Sequence, residues 1–299
     1  MDEKIKIKPN SPYAWLLAAR PKTLTGAAGP VLIGCALVYA YEPAFFRWIP
    51  ALLCLFFALV MQINANFIND FYDYAKGTDR EDRLGPERAC AQGWITIEAM
   101  KRGIALTTLT ACAIGLPLIG YGGLEMIAVG IVCVLFAFLY TTTLSYKGWG
   151  DALVLVFFGL VPVGFTFYVQ LHTWTAEVTW AALAFGLVMD TLLMVNNYRD
   201  CEQDRISGKR TIVVRLGVKT GRWLYWLLGF GGCLLCLPLW RGELYWGAVL
   251  PWFYLIPHTA SWMKMTRIRQ GRALNQVLGE TARNTFIFAV LLAIGCLMG

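Results

Sequence analysis

The chain has 299 residues, of which 58% are hydrophobic and only 15% are charged, and its mean hydropathy is +0.54. Because soluble domains carry about 25% charged residues, this composition excludes a soluble globular protein and indicates an integral membrane protein. The formal net charge is +7. The membrane topology explains this excess of positive charge, so the net charge gives no support to nucleic-acid binding.

Apolar segments of roughly 18 to 21 residues recur along the chain, each long enough to cross a hydrocarbon core of about 30 Å as a helix. The predicted transmembrane helices, in chain order, are 23–41, 48–68, 103–121, 124–144, 152–171, 178–198, 223–240, 244–263 and 281–298. The sequence therefore predicts an all-α integral membrane protein with about nine transmembrane helices, in which residues 1–299 form a single polytopic domain.

The basic residues support this count, since Lys and Arg accumulate in cytoplasmic loops. With nine helices, 24 of the 26 Lys and Arg fall on one side of the membrane, and only Arg47 and Arg241 fall on the other. We therefore expect the N-terminus and the charged loops to face the cytoplasm, and the C-terminus to face the outside.

Two acidic clusters lie at the ends of apolar segments, one at 66–73 and one at 196–204. Side chains three, four or seven residues apart lie on one face of a helix. This spacing predicts two stripes of oxygen ligands: Asn66, Asp70 and Asp73, and Asn196, Asp200 and Asp204. Two such stripes facing each other could hold Mg2+, which takes one or two carboxylates and completes its shell with water and phosphate oxygens.

The two clusters are separated by 130 residues, and each closes an even-numbered predicted helix before a basic loop. This spacing predicts a duplication of a four-helix unit, which makes two pseudo-repeated units plus one helix. Such a duplication would bring the clusters together at the interface between the repeats.

Basic residues alternate with the acids: Arg199 and Lys209 accompany the second cluster, and Lys76 follows the first. Carboxylates that hold cations beside basic groups are what a diphosphate with Mg2+ requires. For Glu81, Asp82, Glu87, Arg88, Lys101 and Arg102 we expect ordinary solvated surface charges. The nine Cys form no Cys-x-x-Cys pair, and only two His are present, so structural zinc and a disulfide framework are not expected.

Two further acids have open assignments. Asp190 lies inside the sixth predicted helix, where it could line an acceptor pocket, assist a proton transfer or be held protonated by a neighbouring helix. Asp151 opens the fifth predicted helix, where an acid favours the N-terminal dipole. Capping is the expected role of Asp151.

The chain resembles the UbiA superfamily of intramembrane prenyltransferases. The paired motifs of that superfamily, Asn-Asp-x-x-Asp and Asp-x-x-x-Asp, are matched by Asn69-Asp70-Phe-Tyr-Asp73 and Asp200-Cys-Glu-Gln-Asp204. Lys76-Gly77-Thr78-Asp79 and Gly208-Lys209-Arg210-Thr211 are similar to the MenA branch, which prenylates 1,4-dihydroxy-2-naphthoate. In one departure, the superfamily often has an acid where this chain has Gly77, and Asp79 is left outside the expected ligand set.

The resemblance implies nine helices around a central cavity, in which a polyprenyl diphosphate binds through Mg2+ to both acidic motifs. The implied metal ligands are Asn66, Asp70, Asp73, Asp200 and Asp204, and the four acids are also the implied catalytic residues, together with Tyr140 near the reacting carbon. The implied diphosphate-binding residues are Arg20, Lys147, Arg199, Lys209, Asn66 and Asn196.

The activity expected from this resemblance is transfer of a polyprenyl group to 1,4-dihydroxy-2-naphthoate with decarboxylation, in a bacterial cytoplasmic membrane. The product would be demethylmenaquinone. The sequence leaves two alternatives open. One is a prenyltransferase that uses 4-hydroxybenzoate or homogentisate, and the other is an ion-coupled transporter, since intramembrane acids and repeats also mark ion pathways.

Overall fold

A computed structural model of the protein describes residues 7–77 and 83–299, and all regular secondary structure within these ranges is helical. The long helical segments of the described chain are α1 Pro12–Tyr41, α2 Trp48–Ala75, α3 Ile97–Gly122, α4 Glu125–Lys147, α5 Gly150–Leu171, α6 Ala176–Arg199, α7 Val218–Gly242, α8 at residues 245–268 and α9 Leu274–Leu297. Two short helices, Cys201–Ile206 and Ile212–Leu216, lie in the connection between α6 and α7.

Eight of these segments are long and apolar enough to cross a bilayer, which confirms the prediction of a multi-pass, all-α membrane protein. The segment that does not meet this measure is α8. It corresponds to the predicted span 244–263, and it tightens into a 3-10 turn at Leu250–Tyr254. Pro251 lies in this turn, where its missing backbone N–H interrupts the regular helix.

The helix ends differ from the sequence prediction in one way that matters for function. α2 continues to Ala75 rather than ending near residue 68, so residues 69–73 form its last turns. α6 likewise ends at Arg199, and the chain turns directly into the short helix Cys201–Ile206. The residues of both acidic clusters therefore lie on helical backbone, except Asp200, which forms the turn between α6 and the short helix Cys201–Ile206.

Near its N-terminus, α1 is interrupted at Arg20, whose φ of 51° lies in the left-handed region. Pro21 follows, and a proline disfavours helical geometry in the residue before it. The Asn66 amide of α2 holds the break by donating to the Ala19 carbonyl and the Thr23 hydroxyl, each at 3.0 Å. The break places Arg20 on the wall of the central cavity.

α6 lies at the centre of the bundle and packs closely against α5. A Cβ atom at Gly159 of α5 would lie 2.5 Å from the Ala182 carbonyl oxygen of α6, and one at Gly186 of α6 would lie 3.1 Å from the Leu155 Cα atom. Small residues let the two backbones touch, as is common between helices in membranes.

This contact predicts that Gly159→Ala destabilises the protein. The added methyl group meets backbone atoms that cannot move independently, and overpacking of this kind costs about 1–3 kcal/mol. The matched control is Gly120→Ala in α3, where an added Cβ has nothing within 4 Å. Thermal unfolding in detergent should show a lower midpoint for Gly159→Ala only; equal midpoints would contradict the proposed helix contact.

Candidate active site

A cavity of about 1200 Å³ lies inside the bundle, and its walls change from polar to apolar along its length. Charged side chains line the end where α2 and α6 terminate, among them Asp73, Asp200 and Asp204. At the other end, the wall consists of apolar residues such as Met126 of α4 and Val169 of α5. The cavity thus suits a ligand with a charged head and a long apolar tail.

At the end of α6, Asp200 is held by the preceding residue. The Arg199 Nε atom donates to Asp200 Oδ1 at 2.8 Å, and Arg199 Nη2 donates to Asp200 Oδ2 at 2.6 Å. Arg199 Nη1 also donates to Asn275 Oδ1 of α9 at 2.7 Å. Arg199, predicted to bind diphosphate, lies on the cavity wall, and its guanidinium orients Asp200.

Asp204 follows one turn later on the short helix Cys201–Ile206, and the Lys209 ammonium lies 3.7 Å from its carboxylate. Burial raises the pKa of Asp204 to about 6, and the negative charge of Asp200 acts in the same direction. Lys209 and Arg199 oppose this shift only in part. A carboxylate in this state carries negative charge that is incompletely compensated, which favours the binding of a further cation.

In α2, the structure places Asn69 and Asp73 on the cavity wall. Asp73 Oδ2 accepts a hydrogen bond from Arg88 Nη2 at 2.9 Å, and Asn69 Oδ1 accepts one from the Thr141 hydroxyl. Arg88, predicted to be a solvated surface charge, is buried, so that prediction was wrong. Asp79, Glu81 and Asp82 lie outside the described residues.

Asp70 has a different role from its neighbours, because its carboxylate is turned away from the cavity. Its oxygens accept hydrogen bonds from the Ala89 and Cys90 backbone amides at 2.8 and 2.9 Å, and Arg20 lies 3.9 Å away. Only 1% of Asp70 is exposed, and it is not part of the cavity wall. Asp70 therefore anchors the turn that carries Arg88.

Basic groups surround the same end of the cavity. The Nη2 atom of Arg20 is buried and makes no hydrogen bond within the described part of the protein. Lys76 and Lys209 both line the wall and lie 4.1 and 5.1 Å from the centroid of the Tyr146 ring, a cation–π arrangement that joins the loops after α2 and α6. All three cations lie at the charged end of the cavity, where Lys76 also donates to the Thr141 and Thr142 carbonyls at 3.3 and 2.8 Å.

The other residues predicted for the site do not all line the cavity. Asn196 and Tyr140 line the cavity, and Tyr140 begins the π-helical turn Tyr140–Leu144 at the end of α4. Asn66 also lines it, although its amide is engaged in holding α1. Lys147 is exposed and is not part of the wall, in contrast to its predicted contact with diphosphate.

In the described ranges, no three Asp, Glu, His or Cys side chains converge closely enough to enclose a metal alone. Mg2+ does not need such a cage, since one or two carboxylates plus phosphate oxygens and water satisfy it. The donor set of Asn69, Asp73, Asp200 and Asp204 consists of hard oxygen atoms. Arg20 lines the same cavity, and its Nη2 atom makes no hydrogen bond in the described chain, although it lies 3.9 Å from Asp70. The residues present therefore fit a cation bound together with a phosphate ligand.

A membrane-embedded cavity with acids and bases at one end and apolar walls at the other defines an enzyme or carrier for an amphiphilic phosphate. Comparison with known proteins identifies the class: residues 27–288 match the UbiA prenyltransferase family, and the chain belongs to this family. It is a prenyltransferase, and the transporter alternative is not supported.

Among named relatives, a 1,4-dihydroxy-2-naphthoate octaprenyltransferase of Haemophilus influenzae is 38% identical, over 74% of this chain and 73% of the relative. The enzyme of the same name from Escherichia coli K12 is 36% identical, over 81% of this chain and 80% of the relative.

Solved structures share the fold. A UbiA homologue from Aeropyrum pernix K1 superposes with a TM-score of 0.68 at 14% identity, covering 92% of this chain and 97% of the other. A UbiA homologue from Archaeoglobus fulgidus, bound to DMAPP and Mg2+, superposes with a TM-score of 0.59 at 15% identity, covering 95% and 99%.

The position of Asp70 leads to a prediction about Asp70→Asn. The amide keeps one acceptor oxygen but loses the charge that holds the Ala89 and Cys90 amides, so we expect a loss of about 1–3 kcal/mol. Hydrogen exchange should show lower protection of these two amides. The control is Asp73→Asn, which leaves both amide bonds in place; equal protection in the two variants would contradict the anchoring role.

Proposed function

We propose that the protein transfers a polyprenyl group from its diphosphate to 1,4-dihydroxy-2-naphthoate, with loss of the ring carboxyl group and release of CO2 and diphosphate. The immediate product is the hydroquinone form of demethylmenaquinone, because prenyl transfer and loss of CO2 leave the oxidation level of the ring unchanged. The observation that carries the proposal is the single cavity in which a charged end and a long apolar end are joined. The acceptor is supported by the names of the relatives that are 38% and 36% identical.

We assign the oxygen ligands of Mg2+ to Asn69, Asp73, Asp200 and Asp204. This set keeps the predicted Asp73, Asp200 and Asp204, adds Asn69, and leaves Asp70 as an anchor and Asn66 and Asn196 as supporting residues. When bound, Mg2+ supplies positive charge that stabilises the departing diphosphate. The UbiA homologue from Archaeoglobus fulgidus is bound to DMAPP and Mg2+, which supports the use of this metal together with a prenyl diphosphate.

The chain contributes its own cations to the same task. Arg20, Lys76 and Lys209 face the charged end of the cavity, where they neutralise charge that develops on the leaving diphosphate oxygen. Preorganised charges in a site with little water stabilise a transition state more than they would in water. Arg88 and Arg199 act indirectly, since they fix the orientation of Asp73 and Asp200.

The apolar walls have a second role. An allylic carbon that loses diphosphate becomes strongly electrophilic, and water would capture it before an aromatic ring could attack. The apolar end of the cavity binds the prenyl chain and keeps water from the allylic carbon. We assign contact with the reacting carbon to the ring of Tyr140, which lines the cavity at the end of α4.

The orientation of the protein follows from its charges. We propose a bacterial cytoplasmic membrane, with the N-terminus and the loops that carry both acidic motifs on the cytoplasmic side. The supporting observation is that 24 of 26 Lys and Arg fall on that side when α8 is counted as a transmembrane segment.

The acceptor is tested with purified protein, Mg2+, octaprenyl diphosphate and each of three acceptors: 1,4-dihydroxy-2-naphthoate, 4-hydroxybenzoate and homogentisate. We expect product with the naphthoate only, and label from its carboxyl group should appear as CO2. Chelation of Mg2+ should stop the reaction, and Asp200→Asn should lower turnover by about 100-fold or more.

The control variant is Glu177→Gln, an acid-to-amide change at the opposite end of α6, which should retain wild-type turnover. Product with 4-hydroxybenzoate or homogentisate, and none with the naphthoate, would overturn the proposed acceptor.

A further inference from the structure

A second pair of acids lies within the bundle, away from the proposed metal ligands. α5 and α6 run antiparallel and touch where Leu155 meets Gly186. One turn back along α5 is Asp151, and one turn forward along α6 is Asp190. Because residues four apart share a helix face, the two carboxyl groups lie opposite each other across this interface.

Each carboxyl group retains an oxygen that the fold does not use. The Oδ1 atoms of Asp151 and Asp190 are both buried, and neither has a hydrogen-bond partner in the described part of the chain. Buried polar atoms are nearly always paired, so two such atoms at one interface require an explanation. Capping of α5 does not provide one, because Asp190 lies in the middle of α6 and cannot cap a helix end.

The pair also lies beside the proposed site. Asp151 lines the cavity, whereas Asp190, 2% exposed, lies behind the wall. A Cβ atom at Gly150 would lie 3.9 Å from the Tyr140 hydroxyl and 3.1 Å from Leu193. Leu193 is one turn after Asp190 on α6. Tyr140, the start of α5 and this face of α6 thus meet at one point on the cavity wall.

We propose that Asp151, supported by Asp190, accepts the proton of a ring hydroxyl of the aromatic acceptor during prenyl transfer. This inference rests on the proposed function, since it requires a hydroxylated aromatic ring in the cavity. Two carboxyl groups that face each other in a low-dielectric site cannot both be ionised, so the pair holds one proton. The remaining negative charge makes the oxygen of Asp151 at the cavity a proton acceptor.

The electron flow is balanced. The hydroxyl proton moves to the Asp151 carboxylate, the O–H electron pair becomes a ring C=O bond, and a ring carbon forms the bond to the allylic carbon. The allylic C–O bond breaks, and its electron pair leaves with diphosphate. When that ring carbon then loses its carboxyl group as CO2, or its hydrogen as a proton, the ring becomes aromatic again and the oxygen regains a proton from Asp151.

Asp151 is the catalytic residue of the pair, and Asp190 is a positioning residue. The test measures turnover of Asp151→Asn and Asp190→Asn with three acceptors. These are 1,4-dihydroxy-2-naphthoate and its two monomethyl ethers. In one of the ethers, the methyl group replaces the hydroxyl proton that Asp151 would accept. With the parent acceptor, whose hydroxyl is free, we expect Asp151→Asn to lower kcat by about 100-fold or more. A loss of this size is the usual contribution of a general base. Asp190→Asn should lower kcat by about 10-fold, since Asp151 remains present.

Two readouts separate proton transfer from a structural role. Both variants should bind a prenyl thiodiphosphate with Mg2+ as tightly as the wild type does. The wild type should prenylate the ether that lacks the transferred proton much more slowly than the parent acceptor. Asp151→Asn should use that ether and the parent acceptor at similar rates. Glu177→Gln is again the matched control and should retain both turnover and discrimination.

Wild-type turnover of the parent acceptor by Asp151→Asn, or unchanged discrimination between ether and parent, would overturn the proposal. If Asp151→Asn does not fold, the discrimination measured for Asp190→Asn decides. A wild type that uses only 4-hydroxybenzoate would overturn the proposed acceptor, and the acid pair would then be tested with that acid and its methyl ether. A wild type that prenylates neither acceptor would overturn both proposals.

Discussion

The structure depends on the compensation of negative charge where α2 and α6 end at the same end of the bundle. Three cavity-lining carboxylates, those of Asp73, Asp200 and Asp204, have basic partners in Arg88, Arg199 and Lys209. An ionised acid buried without such a partner would destabilise the fold, because removing one member of a buried ion pair leaves an uncompensated charge. Pairing makes it possible to hold these acids within a membrane protein.

The partners come from different parts of the chain, so charge compensation also organises the tertiary structure. Arg88 belongs to a turn that Asp70 anchors, and Arg199 reaches Asn275 of α9. Asn275 in turn donates to the Leu84 carbonyl at 2.8 Å. The loops that border the charged end are thereby connected to α2, α6 and α9. A ligand that binds between these elements meets side chains that are already oriented, which reduces the entropic cost of binding and reaction.

Much of the fold was predictable from the sequence, because hydropathy and the distribution of Lys and Arg are set by the membrane itself. The details of the site were less accessible. The four-residue spacing from Asn66 predicts Asp70 as a ligand beside Asp73, whereas Asn69, also four residues before Asp73, is the residue that lines the cavity. Only the tertiary contact with the Ala89 and Cys90 amides decides between them. The sequence also does not show that Arg88 is buried and Lys147 exposed, since the burial of a loop residue depends on partners that are distant in the chain. Asp151 was predicted to cap a helix, and its position opposite Asp190 appears only once α5 and α6 are packed.

The proposed function requires Asp73 of α2 and Asp200 at the end of α6 to act on one bound diphosphate. The direct measurement is Mg2+-dependent binding of a prenyl thiodiphosphate to the wild type, to Asp73→Asn, to Asp200→Asn and to the double variant. Residues that act as a unit are strongly non-additive. We predict that each single substitution weakens binding by about 100-fold, and that the double variant binds no more weakly than the singles. Independent, additive losses, or binding that neither substitution changes, would contradict a shared site.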